Sequence, residues 1–190
     1  GKNQAAVTVN LTMLDFDDAS FRLSYGFDLE PLKDSIRRIG LINPPLLRKR
    51  PDDRYQIICG YKRMLALRET GVSAAPCQLV PPESSDAACL LLSLYDTVSH
   101  RELNPIEKSL ALNRLLPYYT EETIARNFLP LFKLQPHITQ FRTYQPLCQL
   151  DLGIRDAIID GIIDVQSALR LSQLDPEAGS VLHDFLSACD

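Results

Sequence analysis

Residues 35–66 read SIRRIGLINPPLLRKRPDDRYQIICGYKRMLA, and this stretch decides the fold. Its β-forming run, residues 55–58, is followed by Gly60 and then by Lys62 and Arg63 at the start of a helical pattern. Backbone N–H groups and the positive end of the helix dipole converge at such a helix start, and glycine lets an anion approach the backbone closely. The pattern predicts a phosphate-binding turn. An ordinary turn with solvated cations has the same spacing, so both interpretations stay open at this point.

Positive charge is concentrated in the same part of the chain. Residues 33–68 contain ten Lys and Arg residues and three Asp residues, which gives the segment a charge of +7. The whole chain has a net charge of -4, so the remaining residues carry -11. A basic segment in an acidic protein indicates an anionic ligand better than the overall pI does, and a solvated surface of mixed charge is the alternative.

Length and composition limit the class of protein. The chain has 190 residues, of which 45% are hydrophobic and 23% charged, so it can bury a core and form one large domain or two small ones. We expect two domains. No apolar run approaches the roughly 18 residues that span a bilayer, and the N-terminus shows no basic-then-apolar signal region. These features predict a soluble cytoplasmic protein that does not contact a membrane.

The cysteines and histidines do not form a metal-binding pattern. The five cysteines are widely spaced and include no C-x-x-C pair, and the three histidines pair with no cysteine at zinc spacing. We therefore expect buried free thiols and no structural metal. The residues concerned are Cys59, Cys77, Cys89, Cys148, Cys189, His100, His137 and His183.

Residues 1–83 are predicted to form a small α+β domain. Apolar residues at helical spacing predict a helix over residues 29–39, with Asp28 as its N-cap and Gly40 as its stop. A second helix begins at the turn described above. Short strands are predicted at residues 7–11, 46–48, 55–58 and 77–80. The order of strand, helix, strand, strand, helix, strand is typical of a small α+β fold.

Residues 84–190 are predicted to form an all-α domain, because no strand pattern follows the polar break at residues 81–85. Asn104 is the expected N-cap of one helix, Pro105 takes its first position, and Glu107 completes a capping box. A polar stretch is expected to follow the first helix of this domain. The predicted helices cover residues 86–94, 105–116, 120–129, 137–150, 154–160, 165–174 and 176–188.

Three separated motifs occur in an order that resembles the ParB/sulfiredoxin superfamily, in its ParB-like branch of chromosome-partition and DNA-binding proteins. The motifs are SIRRIGLINPPLLR, RYQIICGYKRMLALRETG and LNPIE. The resemblance covers residues 8–116 well and residues 117–175 loosely. It implies a ParB-like α+β domain followed by an all-α domain with a degenerate helix-turn-helix.

The resemblance also implies that the first domain binds CTP or another nucleoside triphosphate. ParB-like proteins use a Gly-Leu-x-x-Pro loop near the nucleotide, matched here by residues 40–44, and usually have Gly-Glu-Arg-Arg where this chain has residues 60–63. The glycine and both cations are kept, and each charge-assisted phosphate contact contributes about 1.5–3 kcal/mol. Tyr61 replaces the glutamate. The implied nucleotide-binding residues are Gly40, Leu41, Asn43, Pro44, Gly60, Tyr61, Lys62 and Arg63.

A third motif departs further from the family. ParB-like proteins typically show Glu-Asn-x-x-Arg before Leu-x-Pro-x-Glu, and its acidic and amide groups help to hold Mg²⁺ against the phosphates. Alignment on Leu103 places Asp96 and Thr97 at the Glu-Asn pair, and His100 stands at the arginine. Thr97 and His100 thus join the implied nucleotide-binding residues. Asp96 keeps one oxygen ligand suited to Mg²⁺, and a simple helix-terminus residue is the alternative.

Hydrolysis of the nucleotide is less expected than its binding, because the third motif is altered. We expect at most a weak CTPase-like activity, with Asp96 and Glu30 as the catalytic candidates. Sulfiredoxin, in the same superfamily, carries a catalytic cysteine between the glycine and the basic pair, where this chain has Tyr61. Cys59 precedes the glycine and is predicted to point into the sheet, so reductase activity is not expected.

The resemblance implies a helix-turn-helix formed by residues 120–129 and the recognition helix 137–150, which Pro146 should kink or split. The linking segment, residues 130–136, is longer than a usual tight turn. Of the candidate side chains only Arg142 has a permanent positive charge, which argues against tight binding without a dimer or further basic segments. A protein-interaction domain is the alternative. The candidate DNA-binding residues are Thr139, Gln140, Arg142, Thr143 and Gln145.

The leading hypothesis is a ParB-like DNA-binding or regulatory protein, active in chromosome or plasmid partition or in transcription. A triphosphate at residues 60–63, covered by residues 96–101, would reposition the helices that follow Asn104. The expected partners are the nucleotide, DNA and a second copy of the chain in a homodimer. One alternative is a nucleotide-dependent phosphotransferase or hydrolase that uses the same turn. Another is a protein-interaction adaptor without a ligand.

Overall fold

The computed structural model describes residues 6–174, and the chain divides into two compact units, residues 1–99 and 100–190. The first unit contains the strands, and the described part of the second unit is helical. The predicted α+β fold is thus confirmed. The division falls between residues 99 and 100, at the last residue of the helix Asp86–His100, whereas the sequence places the domain boundary between residues 83 and 84. The helix predicted at residues 176–188 lies outside the described residues.

Within its described part the first unit has one five-stranded mixed sheet. The strand order is β1-β5-β3-β4-β2, in which β1/β5 and β3/β4 are antiparallel and β5/β3 and β4/β2 are parallel. The two-residue strand β2 was not predicted, because it is too short to show an alternating pattern. The strands are β1 Val7–Asn10, β2 Leu14–Asp15, β3 Leu46–Lys49, β4 Tyr55–Cys59 and β5 Ala74–Val80.

Three helices accompany the sheet: α1 Glu30–Ile39, α2 Tyr61–Glu69 and α3 Asp86–His100. The prediction for α1 is confirmed to within one residue, and the helix ends at Gly40, whose φ of 74° suits glycine. The predicted end of α3 at residue 94 is wrong, since the helix continues to residue 100. The polar side chains of its last turns lie at exposed or half-buried positions, so they do not interrupt its buried face.

A buried apolar cluster joins the sheet to α2, and it provides the core of the first unit. Two residues of α2 enter the cluster, Met64 and Leu67, which places the start of this helix firmly against the strands. The cluster consists of Val9, Leu11, Leu14, Leu47, Ile57, Met64, Leu67, Ala75 and Cys77.

The second unit has five helices within its described part. Two short 3₁₀ segments, Leu129–Phe132 and Gln145–Gln149, interrupt them. The predicted effect of Pro146 is confirmed, because the helix predicted at residues 137–150 is split into an α-helix and a 3₁₀ segment. Large side chains from several helices of this bundle, among them Leu112, Phe141 and Ile154, are fully buried. The helices are α4 Pro105–Leu115, α5 Glu121–Asn127, α6 Ile138–Tyr144, α7 Leu152–Ile159 and α8 Val165–Leu174.

The predicted capping box at the start of α4 is confirmed. The Asn104 side chain accepts from the Glu107 N–H at 2.9 Å, and the Glu107 carboxylate accepts from the Asn104 N–H at 3.1 Å. Arg101 adds two hydrogen bonds to the Glu107 carboxylate, at 2.5 and 2.8 Å. Glu107 is only 1% exposed, so its charge is neutralised inside the second unit by Arg101.

Across residues 6–174, none of the helices is both long enough and apolar enough to cross a membrane.

Candidate functional site

The predicted turn between β4 and α2 is present. Gly60 is the N-cap of α2 in the left-handed conformation, with φ 88° and ψ 28°. A β-carbon at this position would lie 2.9 Å from both Nε and Nη2 of Arg63. The left-handed backbone conformation therefore favours glycine here, and any side chain at this position would displace the Arg63 guanidinium. The first N–H groups of α2 lack intrahelical partners, as at any helix start, and they face the same end of the helix.

Arg63 connects this turn to two other segments of the first unit. Its Nη1 donates to the carbonyl oxygen of Asn43 at 2.6 Å, and its Nη2 lies 3.6 Å from the Asp96 carboxylate. Asn43 belongs to the loop after α1, and Asp96 belongs to α3. The fold therefore brings residues from three separate parts of the sequence to one guanidinium.

Two more cations lie at the start of α2. The Lys62 ammonium lies 4.4 Å from the centre of the Phe27 ring. Arg22 donates from Nη1 to the Tyr61 hydroxyl at 3.1 Å, and its guanidinium carbon lies 5.0 Å from the centre of the Tyr61 ring. Sequence reasoning missed Arg22, whose available signal was its position as the only cation between Asp15 and Glu30.

A small cavity of about 30 Å³ adjoins Gly60. Arg22, Tyr61 and Thr97 are among its lining residues. The volume corresponds to about one water molecule, so side chains fill the space beside the turn in this conformation. The Thr97 hydroxyl donates to the Ser93 carbonyl oxygen at 2.8 Å, which fixes this side chain of α3 at the cavity.

The remaining predicted nucleotide-binding residues occupy different positions. Gly40 is exposed at the end of α1, Leu41 packs against the core of the first unit, and Pro44 is half-buried at the entry to β3. His100 is exposed at the last position of α3 and belongs to the second unit. Its role in nucleotide binding stays a prediction.

Glu30, a predicted catalytic candidate, lies away from the turn. Its carboxylate pairs with Lys33 at 2.5 Å, and Lys33 also pairs with Glu69 at 3.2 Å. Glu69 is the last residue of α2, about 12 Å along the helix axis from its first residue. The structure therefore places Glu30 beside the C-terminal end of α2, whereas the turn predicted to bind phosphate is at the N-terminal end.

The described residues hold no Mg²⁺ site that is built from protein side chains alone. Among residues 6–174 no group of three His, Cys, Asp or Glu side chains could hold a metal ion. The carboxylate predicted as a Mg²⁺ ligand, Asp96, instead pairs with Arg63, and the neighbouring Thr97 hydroxyl bonds to the backbone. Mg²⁺ is commonly bound by one or two carboxylates together with substrate phosphates, so the role of Asp96 as a Mg²⁺ ligand stays a prediction.

The buried thiols agree with the sequence prediction. Cys59, Cys77 and Cys89 are buried and free, and Cys148 is half-buried and free. Burial raises the pKa of the Cys59 thiol to about 12, and the nearby Asp96 carboxylate adds to this effect. Because the thiolate is the reactive form, Cys59 is inert at neutral pH although it is next to the turn. Cys189 lies outside the described residues.

The basic segment is largely neutralised by acidic residues from other parts of the first unit. Arg48 pairs with Asp86 at 2.6 Å, and Arg50 pairs with both Asp15 and Asp18. Burial raises the pKa of Asp18, but hydrogen bonds from Ser20 and Gln56 and the Arg50 charge outweigh this effect and lower the pKa below its usual value. Residues 33–68 therefore do not form an open basic face. Further pairs are Lys33–Glu69, Lys49–Asp53, Arg54–Asp15 and Arg63–Asp96.

The predicted DNA-binding residues fall into three groups within the second unit. Thr139 and Arg142 are exposed on α6, with the Arg142 Nε 3.7 Å from the Glu121 carboxylate. Gln140 and Thr143 line a groove of about 420 Å³ together with residues of α7, α8 and the segment between them. Gln145 lies beyond α6, and its side-chain amide donates to the Asn113 side-chain oxygen at 2.7 Å. That bond gives Gln145 a structural role.

Residues 3–93 match the family model described as the ParB N-terminal domain. Over 157 residues the chain is 32% identical to a probable chromosome-partitioning protein ParB of Neisseria meningitidis, an alignment that covers 76% of this chain and 52% of the relative. Over 87 residues it is 36% identical to a probable chromosome-partitioning protein ParB of Pseudomonas putida, with 46% and 29% covered. The chain thus spans about half or less of the length of these relatives.

Among solved structures, the fold is similar to that of a C-terminally truncated chromosome-partitioning protein ParB from Caulobacter crescentus, complexed to the centromeric parS site. The two chains align over 97% of this chain and 93% of the other, with a TM-score of 0.50 and 21% sequence identity. At this level of sequence identity, the comparison supports similarity of the fold alone.

Proposed function

Because this chain belongs to the ParB superfamily, we propose that it is a ParB-like partition or regulatory protein whose first unit binds a nucleoside triphosphate, CTP in the first instance. The proposed site is the turn at the start of α2. Its phosphates would be held by the backbone N–H groups after Gly60 and by Lys62 and Arg63. The choice of CTP rests on the family resemblance of the motifs.

The convergence at Arg63 is the observation that carries this proposal. A lone glycine before two cations is a weak signal, but here the loop after α1 and the carboxylate of α3 meet at the same guanidinium. Both segments correspond to motifs that the family resemblance associates with the nucleotide. The residues proposed to surround the ligand are Gly40, Leu41, Asn43, Pro44, Tyr61 and Thr97.

The same contacts suggest how binding would be transmitted. A phosphate and the Asp96 carboxylate would compete for Arg63, because both are anions that bind a guanidinium. Binding would therefore shift the position of α3, the helix that carries Asp96. Asn104, the N-cap of α4, lies four residues beyond the end of this helix in the sequence.

Any hydrolysis by this site is proposed to be weak. Glu30 lies beside the opposite end of α2, and Asp96 pairs with Arg63. Position 61 carries a phenol rather than a carboxylate. The described residues thus offer no uncommitted general base at the turn, whereas phosphate binding needs only the cations and the N–H groups.

Calorimetric titration with CTP and ATP, each with and without Mg²⁺, tests the proposed site. We expect CTP to bind, and we expect Lys62→Ala to weaken binding about tenfold or more because one charge-assisted phosphate contact is lost. Arg37→Ala is the matched control, since Arg37 is an exposed cation that pairs with Asp34 on α1. Failure of every nucleotide to bind at millimolar concentration would exclude the proposal.

We also propose that the second unit contacts DNA through α6. Thr139 and Arg142 are the exposed predicted residues on that helix, and the weak 3.7 Å pair with Glu121 leaves Arg142 able to reach a phosphate. In fluorescence anisotropy with a parS duplex, Arg142→Ala is expected to weaken binding and reduce its salt dependence. Equal binding by Arg142→Ala and the unaltered protein at every salt concentration would remove α6 from the interface. A homodimer, also proposed, would double these contacts.

A further inference from the structure

Arg22 differs in its partners from three arginines that lie near the sheet and the turn. Arg48, Arg50 and Arg63 each pair with a carboxylate. Arg22 is half-buried, and within residues 6–174 it makes no ion pair with a carboxylate; its guanidinium contacts Tyr61 instead. A guanidinium has five N–H donors, so the one hydrogen bond to Tyr61 leaves donors for a ligand.

Tyr61 is well placed to fix Arg22 without neutralising it. The phenol oxygen accepts one hydrogen bond at 3.1 Å, and the ring face lies 5.0 Å from the guanidinium carbon. The Tyr61 ring also packs against Phe16 in a T-shaped arrangement, with the two ring centroids 6.5 Å apart. A carboxylate at position 61 would pair with Arg22 and cancel its charge, whereas a phenol keeps the charge available to an anion.

The position of this pair links it to the turn. Tyr61 is the first residue of α2, directly after the N-cap Gly60. Arg22, Tyr61 and Gly60 all line the small cavity of about 30 Å³ at the turn. The segment between β2 and α1 thus delivers a cation to the place where the helix N–H groups already favour negative charge.

We infer that Tyr61 is a positioning residue that holds Arg22 as a third phosphate-binding cation beside Lys62 and Arg63. This inference rests on the proposed nucleotide site and specifies how that site is completed in this chain. Arg22 contacts the terminal phosphates, and Tyr61 acts through Arg22. The tyrosine that replaces the family's glutamate therefore strengthens phosphate binding, because it orients Arg22 without neutralising its charge.

The test is a double-mutant cycle of Arg22→Gln and Tyr61→Phe, with CTP, CDP and CMP titrated by calorimetry. Arg22→Gln is expected to weaken CTP binding about tenfold and to reduce the ratio of CTP to CMP affinity, because one phosphate contact is lost. Tyr61→Phe keeps the ring and removes the hydroxyl, so a smaller loss of about threefold in CTP affinity is expected. The double variant should bind CTP no more weakly than Arg22→Gln alone.

Arg68→Gln is the matched control, because Arg68 lies over the Phe16 ring at 4.0 Å and has no place in the proposed site. It should leave CTP affinity unchanged, and thermal unfolding of each variant checks that the fold is intact. If Arg22→Gln does not fold, Arg22→Lys replaces it in the cycle with the same expectation of coupling. CTP binding by the unaltered protein with additive effects of the two substitutions would overturn this inference alone. Failure of the unaltered protein to bind any nucleotide would overturn the proposed function and this inference together.

Discussion

Replacing Gly60 by alanine is expected to lower the affinity for CTP at least tenfold. The added β-carbon would lie 2.9 Å from the Arg63 guanidinium, so the guanidinium must shift, and its contacts with the Asn43 carbonyl and with a phosphate at the turn are expected to weaken. The φ of 88° is also unfavourable for alanine and costs about 1–2 kcal/mol of stability. Calorimetry measures the affinity, and urea unfolding measures the stability.

Gly71→Ala separates these two effects. Gly71 has a φ of 78°, similar to that of Gly60, but a β-carbon there would meet no atom within 4 Å. This control is expected to lose a similar amount of stability and to keep its affinity for CTP. Equal losses of affinity in both variants would show that backbone strain, rather than the position of Arg63, controls binding.

Replacing Arg101 by methionine is expected to lower the free energy of unfolding by about 3 kcal/mol. The Glu107 carboxylate is 1% exposed and receives two short hydrogen bonds from Arg101, at 2.5 and 2.8 Å. Without the arginine its charge stays buried, with the Asn104 N–H as a remaining donor. Methionine keeps most of the apolar stem of the side chain, so the loss of stability reports the removal of the guanidinium charge beside the buried carboxylate. Urea unfolding of the second unit measures it.

Arg142→Met is the matched control for this substitution. Arg142 pairs with Glu121 at 3.7 Å, and the two side chains are 70% and 43% exposed. A pair so exposed is screened by water, and its loss is expected to change the stability by less than about 0.5 kcal/mol. Similar costs for both substitutions would contradict the view that Glu107 is held in the core by Arg101.

Helix ends were predictable where local chemistry determines them. Gly40 ends α1, and Asn104 with Glu107 caps α4, because each of these effects depends on residues within one turn of the helix end. The predicted end of α3 is too early because the polar residues after residue 94 break the apolar pattern, although they lie on the outer face of the helix. A run of polar residues indicates exposure to solvent, and the exposed face of a helix can supply such a run as well as a loop can.

The candidate site was predictable only in its local part. Gly60 and Lys62 of the proposed site could be predicted because the turn and its first helical residues are neighbours in the sequence. Arg22 was not found, because it reaches Tyr61 across 39 residues and belongs to no motif. Glu30 was assigned to the site because nothing in the sequence shows which end of α2 it approaches. Contacts between distant residues and the direction of a packed helix come from the tertiary fold.

The acidic partners of the basic segment, residues 33–68, could not be predicted from the sequence. Its charge of +7 indicated an anionic ligand, but most of these cations pair with acidic residues that lie outside the segment or at its edges. Asp15, Asp86 and Asp96 are each distant in sequence from the arginine with which they pair in the fold. Most of this positive charge is therefore used in internal ion pairs, and the proposed anion site is confined to the start of α2.

Hydrogen exchange with and without saturating CTP tests the central claim most directly. If the nucleotide binds at this turn, the amides of residues 60–63 should exchange more slowly when CTP is present, because they donate to the phosphates. Residues 40–44 and 96–99 should change with them, since both segments meet Arg63. CTP binding that leaves the exchange of residues 60–63 unchanged, or no binding at all, would contradict the proposed site.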